Sequence, residues 1–425
     1  MKNMPFYMLL DTGYKNLASN SEIFKSTSTS KDGKITIIVI IPSNVFQNPE
    51  SYGGGYVRFI KSKKYLSKYF NFIPIKYFHS KISGMISYLS AFLIPIFTLK
   101  LVREKQASAV LIHGFFSDAF AGCILSKLLK LKLIVFANSA LLKGHIGYQA
   151  SGTIPERASS GIWSLINMVK GNKLLAFMEA LVLYKLLLCL RNAVVVPLAP
   201  CLAADLKSLG LNLIPIYPGV GCDQPSSEVS KRLIDGLYVA SPLHPQKGVF
   251  DVIEVWRKII KSRPDARMII AGREDLLFNI HILKEKIRRE NIEKNITVIA
   301  RKEAVPNSVI LRLMSQAKVF VYPSRKDVCP LVIGEALSRG APVVTYDLPG
   351  IQFAYGSCEA VIRVPVGDTD AMAAKVLEIL EKPQLAERLR QAAVEWCKAN
   401  PWSKAALKEA KAYLLGLLGA IEYHA

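Results

Sequence analysis

Residues 319–350 (VFVYPSRKDVCPLVIGEALSRGAPVVTYDLPG) constrain the fold of this chain more than any other stretch. The β-branched and aromatic run at 319–322 predicts a buried parallel strand, which Pro323 ends. Apolar residues at helical spacing follow, and Gly340 predicts the end of that helix. Residues 342–344 (PVV) then begin another strand. A strand, helix and strand in this order indicate a parallel sheet of the α/β class.

The loop between that strand and that helix is a candidate anion site. A loop that leads into a helix N-terminus offers free backbone amides and the positive end of the helix dipole, both of which favour a phosphate. Asp327 and Glu335 lie eight residues apart and flank the helix start. One carboxylate can face a ligand from the loop and the other from the first helical turns. The alternative is an ordinary strand–helix unit whose acids solvate a helix end.

The same stretch resembles the E-x7-E region of the retaining GT-B glycosyltransferases of the large family 4, whose usual form is roughly PS-x-x-E-G-F-G-L-x-x-x-E-A-x-x-x-G-x-P-V-V. The matching residues are Pro323, Ser324, Asp327, Pro330, Leu331, Glu335, Ala336, Gly340, Pro342, Val343 and Val344. Asp327 stands where the family usually has glutamate. The resemblance covers most of the chain after residue 34. It implies the GT-B architecture, in which two Rossmann-like, doubly wound domains face a central cleft.

The loop after the predicted strand at 237–240 resembles the G-R-L-x-x-x-K-G loop of the family. Lys247 matches its lysine, whereas Pro242 stands in place of its arginine. In the family these two cations hold the donor diphosphate, so the resemblance implies that Lys247 carries more of that role or that Arg273 or Arg325 substitutes. A fixed cation stabilises the charge that develops on a diphosphate leaving group. The alternative is a surface lysine beside a turn.

A glycine run at 53–55 lies between the first predicted strand, 34–41, and a helical start at Tyr56. Such a run lets backbone amides approach a ligand closely. A flexible turn explains this feature equally well on its own. The position resembles the Gly-rich loop of the family, which implies that Gly54 and Gly55 lie near the donor diphosphate and the acceptor.

The resemblance implies a role for each matching side chain. Asp327 would bind hydroxyls of the donor sugar, Glu335 would accept hydrogen bonds from the nucleotide ribose, and Lys247 would hold the diphosphate; these three are the candidate catalytic residues. The expected donor-binding residues are Gly54, Gly55, Lys247, Gly272, Arg273, Pro330, Leu331, Val332 and Glu335. Enzymes of this fold generally need no metal, and no D-x-D sequence is placed to hold one. No cofactor is therefore expected, since the nucleotide sugar is a substrate.

Three residues of the first half are expected near the acceptor. His113 and Asn138 follow the predicted strands 109–112 and 132–136, and strand ends meet at the edge where open α/β sheets bind ligands. Asn138 matches a position that is often histidine in the family, so no acid–base role is assigned to it. A lone histidine at a strand end is more often structural. Lys143, in the loop that follows, completes the set.

The domain organisation expected from this resemblance has four parts. Residues 1–34 are polar at 11–34 and predicted to be loose. Residues 35–220 form the acceptor domain, and residues 221–401 form the donor domain. A last helix, about 402–425, crosses back to the first domain. Apolar stretches at 85–102 and 174–190 are interrupted by polar or charged residues and are predicted to be buried or interfacial helices rather than membrane spans.

The charge of the chain predicts an anionic partner. The net charge is +22, and residues 1–230 hold 25 Lys and Arg against 11 Asp and Glu. Phospholipid, a polyanionic acceptor and nucleic acid are candidates, and nucleic acid ranks last because no zinc finger or RNA-recognition signature is present. A basic helix follows the glycine run and is either a solvated face or a contact with an anionic membrane or acceptor. Its lysines are Lys61, Lys63, Lys64 and Lys68.

The cysteines indicate the compartment. Seven are scattered along the chain without a C-x-x-C pair, which predicts reduced, buried thiols of an intracellular protein. The N-terminus lacks a signal-peptide pattern. The expected location is the cytoplasm, with peripheral contact at the cytoplasmic face of the membrane as an open alternative.

The function implied by the resemblance is transfer of a sugar from a nucleotide-sugar donor to a hydroxyl of a lipid-linked or glycan acceptor, with retention of configuration. The basic first half favours a lipid-linked acceptor, and a polysaccharide is the rival. Two alternatives stay open. One is a catalytically weak GT-B scaffold or binding protein, and the other is a GT-B sugar epimerase or phosphorylase.

Overall fold

The computed structural model describes residues 34–42, 54–77, 93, 106–113, 117–138, 188–207, 209–225, 231–274 and 280–418. Lys143 and nearly all of the two apolar stretches at 85–102 and 174–190 lie outside these ranges, as do residues 1–33. None of the helices in the described part of the chain combines the length and the apolarity that a bilayer span requires.

The chain forms two compact units. The first contains the described residues of Met1–Gln47, Phe59–Pro218 and Ala406–Ala425, and the second contains those of Asn48–Arg58 and Gly219–Ala405. The helices named below are α1 (Gly54–Leu66), α2 (Ser117–Leu129), α3 (Pro200–Lys207), α4 (Val249–Ser262), α5 (Ile280–Arg289), α6 (Asn307–Gln316), α7 (Leu331–Ser338), α8 (Pro349–Tyr355), α9 (Thr369–Glu381), α10 (Pro383–Ala399) and α11 (Trp402–Leu418).

The first unit is built on a parallel sheet in the order β2-β1-β3-β4-β5-β6. Its strands are β1 (Ile35–Pro42), β2 (Phe70–Tyr77), β3 (Ala109–His113), β4 (Lys132–Ala137), β5 (Val194–Pro197) and β6 (Asn212–Leu213). The β-branched residues of β1 are buried because helices cover both faces of a parallel sheet. Helix α11 helps to close this core, since the ring of Tyr413 lies 5.9 Å from Phe70 and 6.4 Å from Phe136.

The second unit is built on another parallel sheet, in the order β12-β11-β10-β7-β8-β9. Its strands are β7 (Ile234–Ala240), β8 (Met268–Arg273), β9 (Ile296–Arg301), β10 (Ala317–Tyr322), β11 (Val343–Tyr346) and β12 (Val361–Val364). The chain leaves β7 in one direction through β8 and β9, then returns to place β10 on the other side of β7. The loops after β7 and β10 therefore diverge at a topological switch point, the place where open α/β sheets bind ligands.

The predicted fold class, two doubly wound parallel sheets, is confirmed. Helix α8 and strand β12 were not predicted, because each is short and neither has a clear hydrophobic period. The prediction that all cysteines are reduced is wrong for one pair, since the structure joins Cys222 and Cys397 in a disulfide. The amide of Cys222 donates to the carbonyl of Asn400 at 2.8 Å, and this pairing brings the two Cα atoms to 5.0 Å.

Candidate functional site

The loops after β7 and β10 bring two of the predicted catalytic residues together at the switch point of the second sheet. Lys247 ends a short 3-10 turn, Pro245–Lys247, and Asp327 lies five residues past β10. The ammonium Nζ of Lys247 lies 2.6 Å from Oδ2 of Asp327. Their side chains are 29% and 16% exposed, so the pair is accessible to a ligand from one side.

A buried tyrosine fixes the carboxylate of this pair. The hydroxyl of Tyr322, the last residue of β10, donates to Oδ2 of Asp327 at 2.6 Å. Burial and then the charge of Asp327 raise the pKa of Tyr322 well above its ordinary range, so the phenol keeps its proton and remains a donor. Asp327 is therefore oriented by one neutral and one charged donor, which leaves its second oxygen, Oδ1, for other contacts.

The lysine loop is held by backbone contacts. The hydroxyl of Tyr238 donates to the carbonyl of Lys247 at 3.0 Å, and the amide of Arg325 donates to the carbonyl of Gln246 at 3.0 Å. Gly248 has φ +80 and packs directly against the carbonyl of Pro323. The loop after β7 is thus tied to the loop after β10, and α4 begins immediately after it.

A second ion pair lies beside the first. The guanidinium of Arg325 contacts Oδ2 of Asp251 in the first turn of α4, at 2.9 Å from Nε and 2.8 Å from NH2. The hydroxyl of Tyr346, at the end of β11, donates to the same oxygen at 2.7 Å. Arg325, one of two arginines expected to substitute for the missing cation, is therefore engaged within the unit.

The N-terminus of α7 lies next in the chain. Pro330 is its N-cap and supplies no capping hydrogen bond, and the first turn contains no acidic residue, so the amides of Leu331 and Val332 have no side-chain acceptor from the cap. The hydroxyl of buried Tyr355 donates to the carbonyl of Pro330 at 2.7 Å and fixes the helix start. Such an end favours an anion.

Glu335 lies in the second turn of α7 and is half-buried. Burial and then the charge of Cys329 raise the pKa of Tyr355, and the carboxylates of Glu335 and Asp327 raise it further. Both predicted carboxylates therefore lie within electrostatic range of the same tyrosine hydroxyl, which itself contacts the start of α7.

Gly272 and Arg273 end β8, the strand beside β7. Gly272 packs against the carbonyl of Ala240, where an added Cβ would overlap that oxygen. Arg273 is half-buried, and its Nε has no hydrogen-bond partner within the described residues. Both residues are at the carboxyl-terminal edge of the sheet, and their assignment to the donor stays a prediction.

The acceptor predictions fall in the first unit. His113 is 4% exposed, with its ring 4.4 Å from that of Phe59 and 5.5 Å from that of Phe136. Asn138 is half-buried and follows β4 by one residue. Two aromatic neighbours are the surroundings of a packed core histidine, so the structural interpretation of His113 gains support. The role of Asn138 stays a prediction.

Gly54 and Gly55 are the first residues of α1 and belong to Asn48–Arg58, the segment grouped with the second unit. Their assignment to the donor stays a prediction.

Sequence reasoning did not single out Tyr238, Asp251, Tyr322 or Tyr346. A signal was present for two of them, because Tyr322 and Tyr346 end strands β10 and β11, where ligand-binding edges begin. No group of three or more His, Cys, Asp or Glu side chains suited to a metal occurs in the described ranges.

Comparison with known proteins finds a family match within the second unit. Residues 235–396 match the family described as glycosyl transferases group 1. The chain is 26% identical over 187 residues to a glycogen synthase of Mycobacterium tuberculosis, covering 43% of each chain. It is 23% identical over 220 residues to a phosphatidyl-myo-inositol mannosyltransferase of Mycobacterium leprae, covering 49% of this chain and 55% of the relative. The chain thus spans about half the length of the curated relatives it matches.

Solved structures show the fold. Sucrose-phosphate synthase from Thermosynechococcus elongatus aligns with a TM-score of 0.66 at 16% identity, over 90% of this chain and 98% of that one. Anabaena HepE in complex with UDP-glucose aligns with a TM-score of 0.62 at 14% identity, over 89% and 99%. At this identity the likeness establishes architecture alone, and that architecture is GT-B.

Proposed function

We propose that this chain, whose residues 235–396 match the glycosyl transferases group 1 family, is a retaining glycosyltransferase that moves a sugar from a nucleotide sugar to a hydroxyl of a lipid-linked or glycan acceptor. The observation that carries the proposal is the Lys247–Asp327 pair at the carboxyl ends of β7 and β10. The pair lies at the switch point of the sheet, and the loop that carries Asp327 leads to the uncapped start of α7. A cation and a helix N-terminus together suit a diphosphate, and an oriented carboxylate suits sugar hydroxyls.

The chemistry follows from where charge develops. When the bond between the anomeric carbon and the diphosphate breaks, negative charge grows on the leaving oxygen. Lys247 and the amides of Leu331 and Val332 stabilise that charge, because they are fixed before the reaction begins. Asp327 holds the sugar hydroxyls, and Glu335 holds the ribose. The acceptor hydroxyl bonds to the anomeric carbon on the face that the diphosphate leaves and gives its proton to the leaving phosphate oxygen, so that configuration is retained.

No metal enters this proposal. The charge of the diphosphate is met by lysine and by backbone amides, which are the groups that the described residues offer. Binding and transfer are therefore expected to be unchanged when EDTA is present.

A nucleotide screen tests the proposal. The thermal midpoint of the full chain is measured with UDP, GDP, ADP and dTDP and with their sugars, in EDTA. One nucleotide is expected to raise the midpoint, since a ligand at 100 times its dissociation constant adds about 2.7 kcal/mol of stability. UDP is the first choice, because the structural neighbour HepE was solved with UDP-glucose.

Glu335→Ala is expected to lose most of that shift, because the ribose loses its acceptor. The matched control is Glu254→Ala, a half-buried helical glutamate of the same unit that pairs with Arg257 on its own helix. If no nucleotide raises the midpoint of the folded wild-type chain, the transferase proposal fails and the scaffold alternative takes its place. If a nucleotide binds, transfer to an acceptor and the configuration of the product decide between transferase and epimerase.

A lipid-linked acceptor is favoured by the surface of the first unit. Exposed lysines collect where helices lead into strands at the amino-terminal edge of its sheet: Lys64 and Lys68 precede β2, and Lys130 precedes β4. Leu128, which lies two residues before Lys130, is 50% exposed. Exposed lysines and an exposed apolar side chain along one edge of a sheet suit an anionic membrane, where each lysine contributes about 1 kcal/mol.

Vesicles test this contact. The wild-type chain is expected to sediment with phosphatidylglycerol vesicles at low salt and to leave them as salt rises. Combined Lys64→Glu, Lys68→Glu and Lys130→Glu should weaken this partition on the order of a hundredfold, at about 1 kcal/mol per lysine. The control reverses three exposed lysines of the second unit, Lys261, Lys294 and Lys302. If both variants lose the same amount of vesicle binding, the net charge of the protein alone explains the binding, and the proposal of a membrane-binding face in the first unit is wrong.

A further inference from the structure

Three consecutive charged residues, Arg325, Lys326 and Asp327, occupy the loop after β10. The middle one differs from its neighbours in its ion-pair contacts. Arg325 contacts Asp251, and Asp327 contacts Lys247. Within the described residues, the ammonium of Lys326 has no carboxylate or other hydrogen-bond partner, although the side chain is half-buried. The loop itself is fixed, since the hydroxyl of Ser324 donates to the carbonyl of Lys326 at 3.2 Å.

An unpartnered cation in this position has an energetic cost. Burial and then the charge of Lys247 lower the pKa of Lys326 below its ordinary value, so both effects oppose its positive charge. Two ammonium groups are thus held in electrostatic range of each other. Among the described residues, Asp327 is the one carboxylate in ion-pair contact with either of them. Such an arrangement is unfavourable in the empty protein, and it becomes favourable when an anion with more than one charge binds between the two groups.

We propose that Lys326 is the second cation that holds the donor diphosphate, and that it takes the place of the arginine whose position in this chain is Pro242. The inference rests on the proposed function and deepens it, because it assigns the second charge of the diphosphate site. The other nearby cation is less suited. Both contacting nitrogens of Arg325 are engaged by Asp251, whereas the Lys326 ammonium is uncommitted.

The position of Lys326 also relates it to the transition state. It lies one residue before Asp327, in the loop that delivers the chain to α7. A lysine here and Lys247 from the loop after β7 approach the site from neighbouring loops, so the two cations can share the two phosphates. Lys326 is then a positioning and charge-stabilising residue, while the sugar is held by Asp327.

The test measures the affinities for UDP and for uridine by titration calorimetry. The proteins compared are the wild type, Lys326→Met, Lys326→Arg and the control Lys318→Met, which removes a lysine that pairs with Asp235. If the nucleotide screen finds that another nucleoside diphosphate stabilises the wild type, that diphosphate replaces UDP and its nucleoside replaces uridine. Lys326→Met is expected to bind the diphosphate about tenfold to a hundredfold more weakly, as for loss of a charged hydrogen bond, and to bind the nucleoside as the wild type does. Lys326→Arg should recover most of the loss. The thermal midpoint of empty Lys326→Met should equal or exceed that of the wild type, because an unpaired charge is removed.

Each other outcome is decisive. Unchanged affinity of Lys326→Met for the diphosphate overturns the inference and leaves the proposed function standing. An equal loss for nucleoside and diphosphate, or a lowered midpoint of the empty variant, shows that Lys326 supports the loop and does not contact phosphate. If the wild type binds no nucleoside diphosphate, the proposed function fails first and the inference falls with it.

Discussion

Lys247→Met should weaken binding of the nucleoside diphosphate at least about a hundredfold and lower kcat/KM by more. The substitution removes the cation and leaves the Asp327 carboxylate beside the phosphates without its ion-pair partner. Loss of a charged hydrogen bond to the phosphates costs about 1.5 to 3 kcal/mol of binding, and the unneutralised Asp327 carboxylate repels the anion as well. Loss of transition-state charge stabilisation adds about 3 to 4 kcal/mol in kcat. Calorimetry with the diphosphate and steady-state kinetics measure the two effects separately.

The chain contains a close control for this experiment. Lys318 pairs with Asp235 at 2.7 Å, and the side chains are 39% and 13% exposed. Each aspartate also keeps one further donor, the Tyr322 hydroxyl for Asp327 and the Arg267 amide for Asp235. The control pair lies at the opposite, amino-terminal edge of the same sheet. Lys318→Met should therefore cost similar stability without affecting nucleotide affinity, and similar affinity losses in both variants would exclude a specific role for Lys247.

Gly248→Ala should reduce the free energy of unfolding of the second unit by about 3 to 5 kcal/mol. A left-handed backbone costs a residue with a Cβ about 1 to 2 kcal/mol, and here the Cβ would also overlap the carbonyl of Pro323, which has no room to move away from β10. Urea unfolding of the full chain, followed by tryptophan fluorescence, reports on this unit because Trp256, Trp396 and Trp402 lie in it.

Gly367→Ala is the matched control. Gly367 has a similar φ of +84, yet its Cβ would meet only the guanidinium of Arg325 at 3.7 Å. It should therefore show only the backbone cost of about 1 to 2 kcal/mol. If the two variants unfold at the same urea concentration, the close approach between the loops after β7 and β10 is not rigid, and the ordering of Lys247 needs another explanation.

The sequence predicts the sheets well because their signal is local. Continuous β-branched runs, such as residues 35–41 and 319–322, identify buried parallel strands wherever they occur. The two-domain architecture came from the family resemblance. The strand order and the contact between Lys247 and Asp327 were not predicted, since no local pattern specifies which loops become neighbours.

The features that sequence reasoning missed are tertiary. The Cys222–Cys397 bridge joins residues 175 apart, and nothing in the spacing of seven scattered cysteines selects that pair. The uncommitted state of Lys326 depends on Arg325 and Asp327 already having partners on other elements. A charge run predicts a solvated surface until the structure shows which member of the run is without a partner.

The discontinuous first unit has a consequence for synthesis on the ribosome. Its sheet is complete in sequence by residue 213, but Tyr413 of α11, which packs on Phe70 and Phe136, is made about two hundred residues later. The second unit, apart from the short Asn48–Arg58 segment, is continuous from Gly219 to Ala405 and is translated in between. Domains generally fold as units while they emerge. The later-encoded unit can therefore reach its native state first, while the earlier-encoded one waits with an uncovered apolar surface and is the part most in need of a chaperone.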